Sequence, residues 1–160
     1  MKGRSRIVGL MLLLLPATLF AAPTDCAVSS ISSLNFGNYN PFSASPLDSA
    51  ATVQITCQTT KNGDIVSVTG TLSTGSSGSY ANRRLLGPAG NNLNYNVYGD
   101  PARTAVFGNG SAGTTTLQFS MFLFKNTPRT VTTDLFGRIF AGQDPTVGSY
   151  TDTLIYTVNF

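Results

Sequence analysis

The sequence predicts an all-β protein, a sandwich of immunoglobulin-like architecture, and three observations carry that reading. Thr, Ser, Gly, Asn, Val, Phe and Tyr dominate the chain beyond its first 22 residues, whereas glutamate is absent. Apolar and polar residues alternate with a period of two in several short runs, and no stretch there repeats at 3.6 residues. Explicit turn sequences separate the runs at short intervals.

The first element is a leader. Lys2, Arg4 and Arg6 form a positive n-region, residues 7–15 an apolar h-region, and Ala21-Ala22 closes a small-residue segment. That order marks a secretory signal peptide over 1–21, too short for a membrane span. Cleavage after Ala21 is favoured over Ala22, which would leave Pro23 at the cut. The mature chain is then one domain over 22–160, with no further apolar run of about 18 residues, and the product is exported.

Val53, Ile55 and Cys57 alternate with Thr52, Gln54 and Thr56, so they form one face of a strand. Val66, Val68 and Leu72 repeat the pattern, with Gly70 as a candidate bulge. Leu93, Tyr95 and Val97 alternate with Asn94 and Asn96. The run 117–124 is apolar on both faces towards its end, as a central or doubly covered strand would be. Turns fall at Asn62-Gly63-Asp64, 74–78, Gly87-Pro88-Ala89-Gly90, Gly108-Asn109-Gly110 (read as a hairpin turn) and Asp144-Pro145. About seven short strands with this punctuation make a sandwich. The absence of Trp excludes the antibody-type Cys–Trp–Cys core. Tyr150, at the approach to the last strand, is either a tyrosine corner bonded to upstream main chain or simply a packed aromatic.

Two cysteines in an exported chain predict a disulfide between Cys26 and Cys57, tying the first strand to the second. Closing a loop of about 30 residues, it contributes roughly 3–4 kcal/mol on the chain-entropy model.

Charge and chemistry exclude whole function classes. Removing Lys2, Arg4 and Arg6 leaves Lys61, Lys125, Arg83, Arg84, Arg103, Arg129 and Arg138 against seven aspartates, a net charge near zero. The basic pI therefore belongs to the leader and argues for no nucleic-acid partner. The chain has no histidine, which removes Ser-His-Asp triads, HExxH zinc sites and most general-base chemistry. Asp48, Asp64, Asp100 and Asp144 sit in turn-like contexts that use Asp to bend the backbone, and no DxDxDG-type calcium loop is present. Neither catalytic residues, metal ligands nor a cofactor site are expected. Arg83 and Arg84 are adjacent strand residues on opposite faces, read as solvated edge charge.

The most informative pattern closes the chain. Leu154, Tyr156, Val158 and Phe160 alternate with Thr153, Ile155, Thr157 and Asn159. They form the face of a last core strand, and if the sandwich lacks a strand they also flank an apolar groove open to β-augmentation.

Taken in order, Leu34-Asn35-Phe36-Gly37 with Tyr39-Asn40-Pro41, Val53-Gln54-Ile55-Thr56-Cys57, Arg83-Arg84-Leu85, Leu93-Asn94-Tyr95-Asn96-Val97-Tyr98 with Asp100, Phe107-Gly108-Asn109-Gly110, Phe136-Gly137-Arg138-Ile139, Gly142-Gln143 and Gly148-Ser149-Tyr150-Thr151-Asp152-Thr153 form a set. In that set the chain resembles the spore coat protein U domain family, which includes subunits of archaic chaperone–usher pili. The resemblance spans almost the whole mature chain. It implies an incomplete immunoglobulin-like fold, a periplasmic chaperone, an outer-membrane usher, neighbouring pilus subunits, and fibres serving attachment and biofilm. One departure bears on the role: only Ala22, Pro23, Thr24 and Asp25 precede Cys26 in the mature chain. At about 3.4 Å per residue they reach roughly 14 Å, too little to replace a core strand. A subunit that accepts a strand at a fibre tip or terminus is the leading expectation, and a free-standing extracellular or spore-coat binding module is the alternative.

Overall fold

The computed structural model describes residues 23–160; the expected leader over 1–21 and the expected start at Ala22 lie outside the described residues. Eight strands follow in order: β1 (Thr24–Ile31), β2 (Leu47–Thr59), β3 (Asp64–Leu72), β4 (Arg83–Leu86), β5 (Asn92–Tyr98), β6 (Leu117–Leu123), β7 (Arg129–Ile139) and β8 (Tyr156–Asn159). They form a five-stranded sheet, β1-β2-β7-β5-β4, and a three-stranded sheet, β6-β3-β8, with antiparallel pairing between the named strands. The fold is the all-β sandwich that the alternation predicts, with one strand more than expected.

The core lies where the alternating rows meet. Val53, Ile55 and Cys57 are fully buried in the first sheet, beside Leu93, Tyr95, Val97, Leu135 and Ile139. Val66, Val68, Leu72, Met121 and Leu123 answer them from the second. Cys26 and Cys57 stand directly opposite in the β1–β2 register and are bridged, so the disulfide fastens an edge strand to its neighbour.

Three expectations are corrected. The run 117–124 supplies β6, which is an edge strand rather than a central one, and its outward Phe122 and Phe124 are 44% and 58% exposed. Gly70 is no bulge: it pairs in unbroken register with Leu117 on one side and Val158 on the other. It is glycine because the Tyr156 hydroxyl lies where a Cβ would stand. Gly108-Asn109-Gly110 turns the chain without making a β-hairpin. Phe107 and Thr115 bridge in parallel, and Asn109 and Thr114 bond the loop's own main chain.

The aspartates divide. Asp100 bends its own turn, accepting from the backbone of Thr104 and Ala105. Asp48, read as a turn residue, is instead a strand residue opposite Arg138, which binds it through two bonds of 2.7 and 2.9 Å. That guanidinium, with Arg103 at 3.3 Å, holds the carboxyl below its usual range. Tyr150 settles as a corner of the predicted kind: its hydroxyl donates to the Thr146 carbonyl at 2.8 Å.

Arg83 is the largest departure. Arg84 is exposed as expected, but Arg83 faces inward opposite Tyr95 and has no exposed surface. Its Nη1 donates to Asn96 Oδ1 at 2.8 Å, its Nη2 to the carbonyls of Ser73 and Phe107, both at 2.8 Å, and its Nε again to Ser73. The Tyr80 ring lies 5.1 Å from the guanidinium carbon. Burial lowers its pKa, yet a guanidinium keeps its proton in a protein, and the planar fork satisfies three acceptors together. One side chain thus ties the end of β3, the β4–β5 pair and the loop after β5. Asn96 is buried because it serves this cation. Replacing Arg83 with Ala strands those acceptors and should cost about 3 kcal/mol or more in urea unfolding. Arg84→Ala should stay within about 0.5 kcal/mol.

Candidate functional site

Each sheet ends on a strand with one unpaired side, and two of those strands, β1 and β8, lie beside each other. β8 bonds only to β3, from Leu72–Tyr156 to Thr69–Asn159. β1 pairs its backbone only with β2, its Thr24 hydroxyl also donating to Asp64 of β3, and its register shifts between Val28 and Ser30. The shift restores an inward position at Ile31, which stands opposite fully buried Val53. Ile31 is nevertheless 53% exposed, and so is Phe160 at the far end of the other strand. An inward-facing apolar residue left half in water has lost its cover on one side.

The final strand behaves as its alternation predicts, over a shorter paired length. Tyr156 and Val158 lie within β8, Leu154 precedes it and Phe160 follows it. Leu154, Tyr156 and Val158 are half-buried against the core, as is Val28 of β1. Leu154, Tyr156 and Val158 thus share one side of the chain, while Phe160 lies past the strand and is 53% exposed. The structure adds a second rim on β1 that period-two reading misses, because the irregularity at Ser29 spaces Val28 and Ile31 by three.

Where the chain leaves β1 and where it approaches β8, a cleft of about 760 Å³ opens between the segments 33–41 and 145–152. Leu85, Leu93 and Ile139, inward residues of the first sheet, form part of its lining. Phe36, packed edge-on to Tyr95 at 6.1 Å, and Tyr150 stand at its sides. The second sheet, with three strands against five, leaves this part of the first sheet's inner face to loops.

At the centre of the rim Tyr156 stacks on Phe107, with ring centroids 6.0 Å apart. Its hydroxyl is buried over Gly70 and has no hydrogen-bond partner among the described residues. Burial pushes its pKa up to about 12. Pro23, Thr24 and Asp25 belong to the fold itself. The Pro23 carbonyl accepts from Thr60 N at 2.8 Å, and Thr24 and Asp25 pair with Thr59 and Gln58. Among the described residues no helix is long and apolar enough to cross a membrane, and no three His, Cys, Asp or Glu side chains cluster as metal ligands would.

Residues 13–157 match the family described as the Spore Coat Protein U domain. The chain belongs to that family. The Spore Coat Protein U domain is a structural, fimbrial-type domain, and membership is compatible with a pilus subunit and with a surface-fibre protein outside the cell. No curated protein matches the chain.

Tyr156 and Gly70 give a direct check of the rim's packing. Tyr156→Phe removes a buried, unpartnered hydroxyl and should leave stability unchanged or raise it by up to about 1 kcal/mol. Gly70→Ala puts a methyl against that ring and should cost about 2 kcal/mol. The double variant, followed by the same denaturant melts, should recover part of the loss.

Proposed function

We propose that this Spore Coat Protein U domain protein is an exported subunit of a chaperone–usher type surface fibre, and that it accepts a partner's strand between β1 and β8. The observation that carries the reading is the pair of neighbouring edge strands, β1 and β8, with Ile31, opposite buried Val53, 53% exposed and Val28, Leu154, Tyr156 and Val158 only half-buried. An extended segment that parts β1 from β8, which lie beside each other in the free chain, would bond to both edges and cover Val28, Ile31, Leu154, Tyr156, Val158 and Phe160, a form of strand addition. During export the partner is a periplasmic chaperone, at the outer membrane an usher, and in the fibre a neighbouring subunit's strand. Such fibres serve attachment and biofilm.

Thr24 and Asp25 are already paired with β2, so they support the receiving role rather than the donating one. A leader removed after Ala21 would favour a tip or terminal position in the fibre. Leaving the groove empty exposes apolar surface and two backbone edges, which is why a chaperone is needed at all.

A donor strand supplied in cis tests the proposal. An extended segment of alternating apolar residues, fused after Phe160 through a flexible linker, should raise the thermal midpoint by at least about 10 °C, since it buries several apolar anchors worth roughly 1.5–3 kcal/mol each. The fused protein should also stay monomeric without chaperone. An unchanged midpoint, from a parent chain already stable and monomeric, would leave the free-standing module as the function.

A further inference from the structure

We propose that the outer face of the three-stranded sheet carries a docking patch for a lipid bilayer bearing anionic headgroups, formed by Ile65, Phe122 and Phe124 within a rim of Lys61, Lys125 and Arg129. The patch is independent of the strand-accepting groove, because β6 and β8 are opposite edges of that sheet.

The apolar part is contiguous and turned to solvent. Ile65 and Phe122 are register partners on β3 and β6, 70% and 44% exposed. Phe124, 58% exposed, meets Phe122 edge-on with ring centroids 5.0 Å apart. Gly63, at φ +107°, lies under the Phe122 ring, where a Cβ would come within 3.0 Å of it. Further along the same face the chemistry changes at once: Ser67 and Ser120 hydrogen-bond to each other, and Thr69 stands opposite Gln118. Three bulky apolar side chains therefore project together at one end of a sheet that is otherwise polar outside.

The charges gather at that same end. Lys125 follows Phe124 directly, and the Thr59–Lys125 bridge holds it beside the turn that carries Lys61. Arg129 donates from Nη1 to the Phe122 carbonyl at 2.8 Å. Lys61 reaches Asp64 at 3.2 Å with its side chain half exposed, and Asp64 is the acid in contact with this cluster. Beyond the leader the chain has seven basic residues and seven aspartates, so three cations against the single Asp64 at this end are a local excess of two positive charges.

This combination selects the partner. The rings project rather than line a cleft, which suits a deformable apolar layer better than a rigid ligand that must be enclosed. Phe and Ile side chains enter the headgroup–acyl boundary while Lys and Arg stems extend to the phosphates. The Arg129 bond occupies the outer edge of β6 at Phe122, which opposes strand pairing with a second copy there.

The chain has no Trp, so Phe124→Trp provides a single fluorescent reporter at the patch. Made as the free chain or with the fused donor strand, this variant should show a blue shift with vesicles of phosphatidylglycerol and phosphatidylcholine, and none with phosphatidylcholine alone. Salt of about 0.5 M should reverse it, since the rim charges are exposed. Adding Lys61→Glu and Lys125→Glu should cut the vesicle-bound fraction in flotation at least about tenfold, with the thermal midpoint held as the folding control. Ile65→Ser with Phe122→Ser should abolish flotation in the otherwise native chain. No shift with anionic vesicles overturns the proposal. So does an equal shift with neutral vesicles, or a shift that grows with protein concentration when no lipid is present, which would assign the patch to a second copy of the chain.

Discussion

The sandwich is built on an inequality: a five-stranded sheet must have its inner face covered by a sheet of three strands. Burial of the inward rows is the main favourable contribution to such a fold, and it can be complete only where the two sheets overlap. They overlap around Val53, Ile55, Val68 and Leu123, all at 0–1% exposure. Away from that centre the cover is improvised. Leu34 and Phe36 lay their side chains over Gly137, Phe107 comes in from a loop, and Tyr150 closes over Gly87. Along β1 and β8 the cover is partial: Val28, Leu154, Tyr156 and Val158 are only half-buried.

The opposite side is held by polar groups rather than by strands. Arg83 collects the carbonyls of Ser73 and Phe107 and the amide of Asn96, and Asn96 in turn donates to the Tyr80 carbonyl at 2.8 Å. Nearby, Asp152 accepts from the Tyr95 hydroxyl at 2.7 Å and from Ser76 N at 3.0 Å, fixing the chain just before it enters β8. Burying a cation is costly, and it is tolerated because each donor direction finds an oxygen. The disulfide does the corresponding work for β1 by fastening it to β2. Both edge strands are therefore anchored from behind.

Much of this was legible in the residues. Alternation over Val53, Ile55 and Cys57, over Val66 and Val68, and over Tyr156 and Val158 predicts which side chains face inward, because successive strand side chains alternate faces. The cysteine pairing was legible from two thiols in a chain whose sequence leads one to expect export. What escaped has physical causes. Arg83 reads as surface charge because its burial depends on acceptors from Ser73, Asn96 and Phe107, 10, 13 and 24 residues away. Ile31 hides its role behind the irregularity at Ser29. The run 117–124 looks doubly covered because its outward Phe122 and Phe124 are apolar, and composition does not distinguish a covered face from an exposed patch. Gly70 resembles a bulge until Tyr156, 86 residues on, is seen above it.

The central claim is that the backbone edges of β1 and β8 are free in the isolated chain and become paired when a strand arrives. Amide hydrogen exchange of the purified protein, resolved by residue with and without an added donor-strand peptide, measures this directly. The account predicts fast exchange for alternate amides along Thr24–Ile31 and Tyr156–Asn159 in the free chain. It predicts strong protection of those same amides with the peptide, while buried β2 and β7 change little. Amides of both edges already protected in the free monomer and unaffected by the peptide would contradict it.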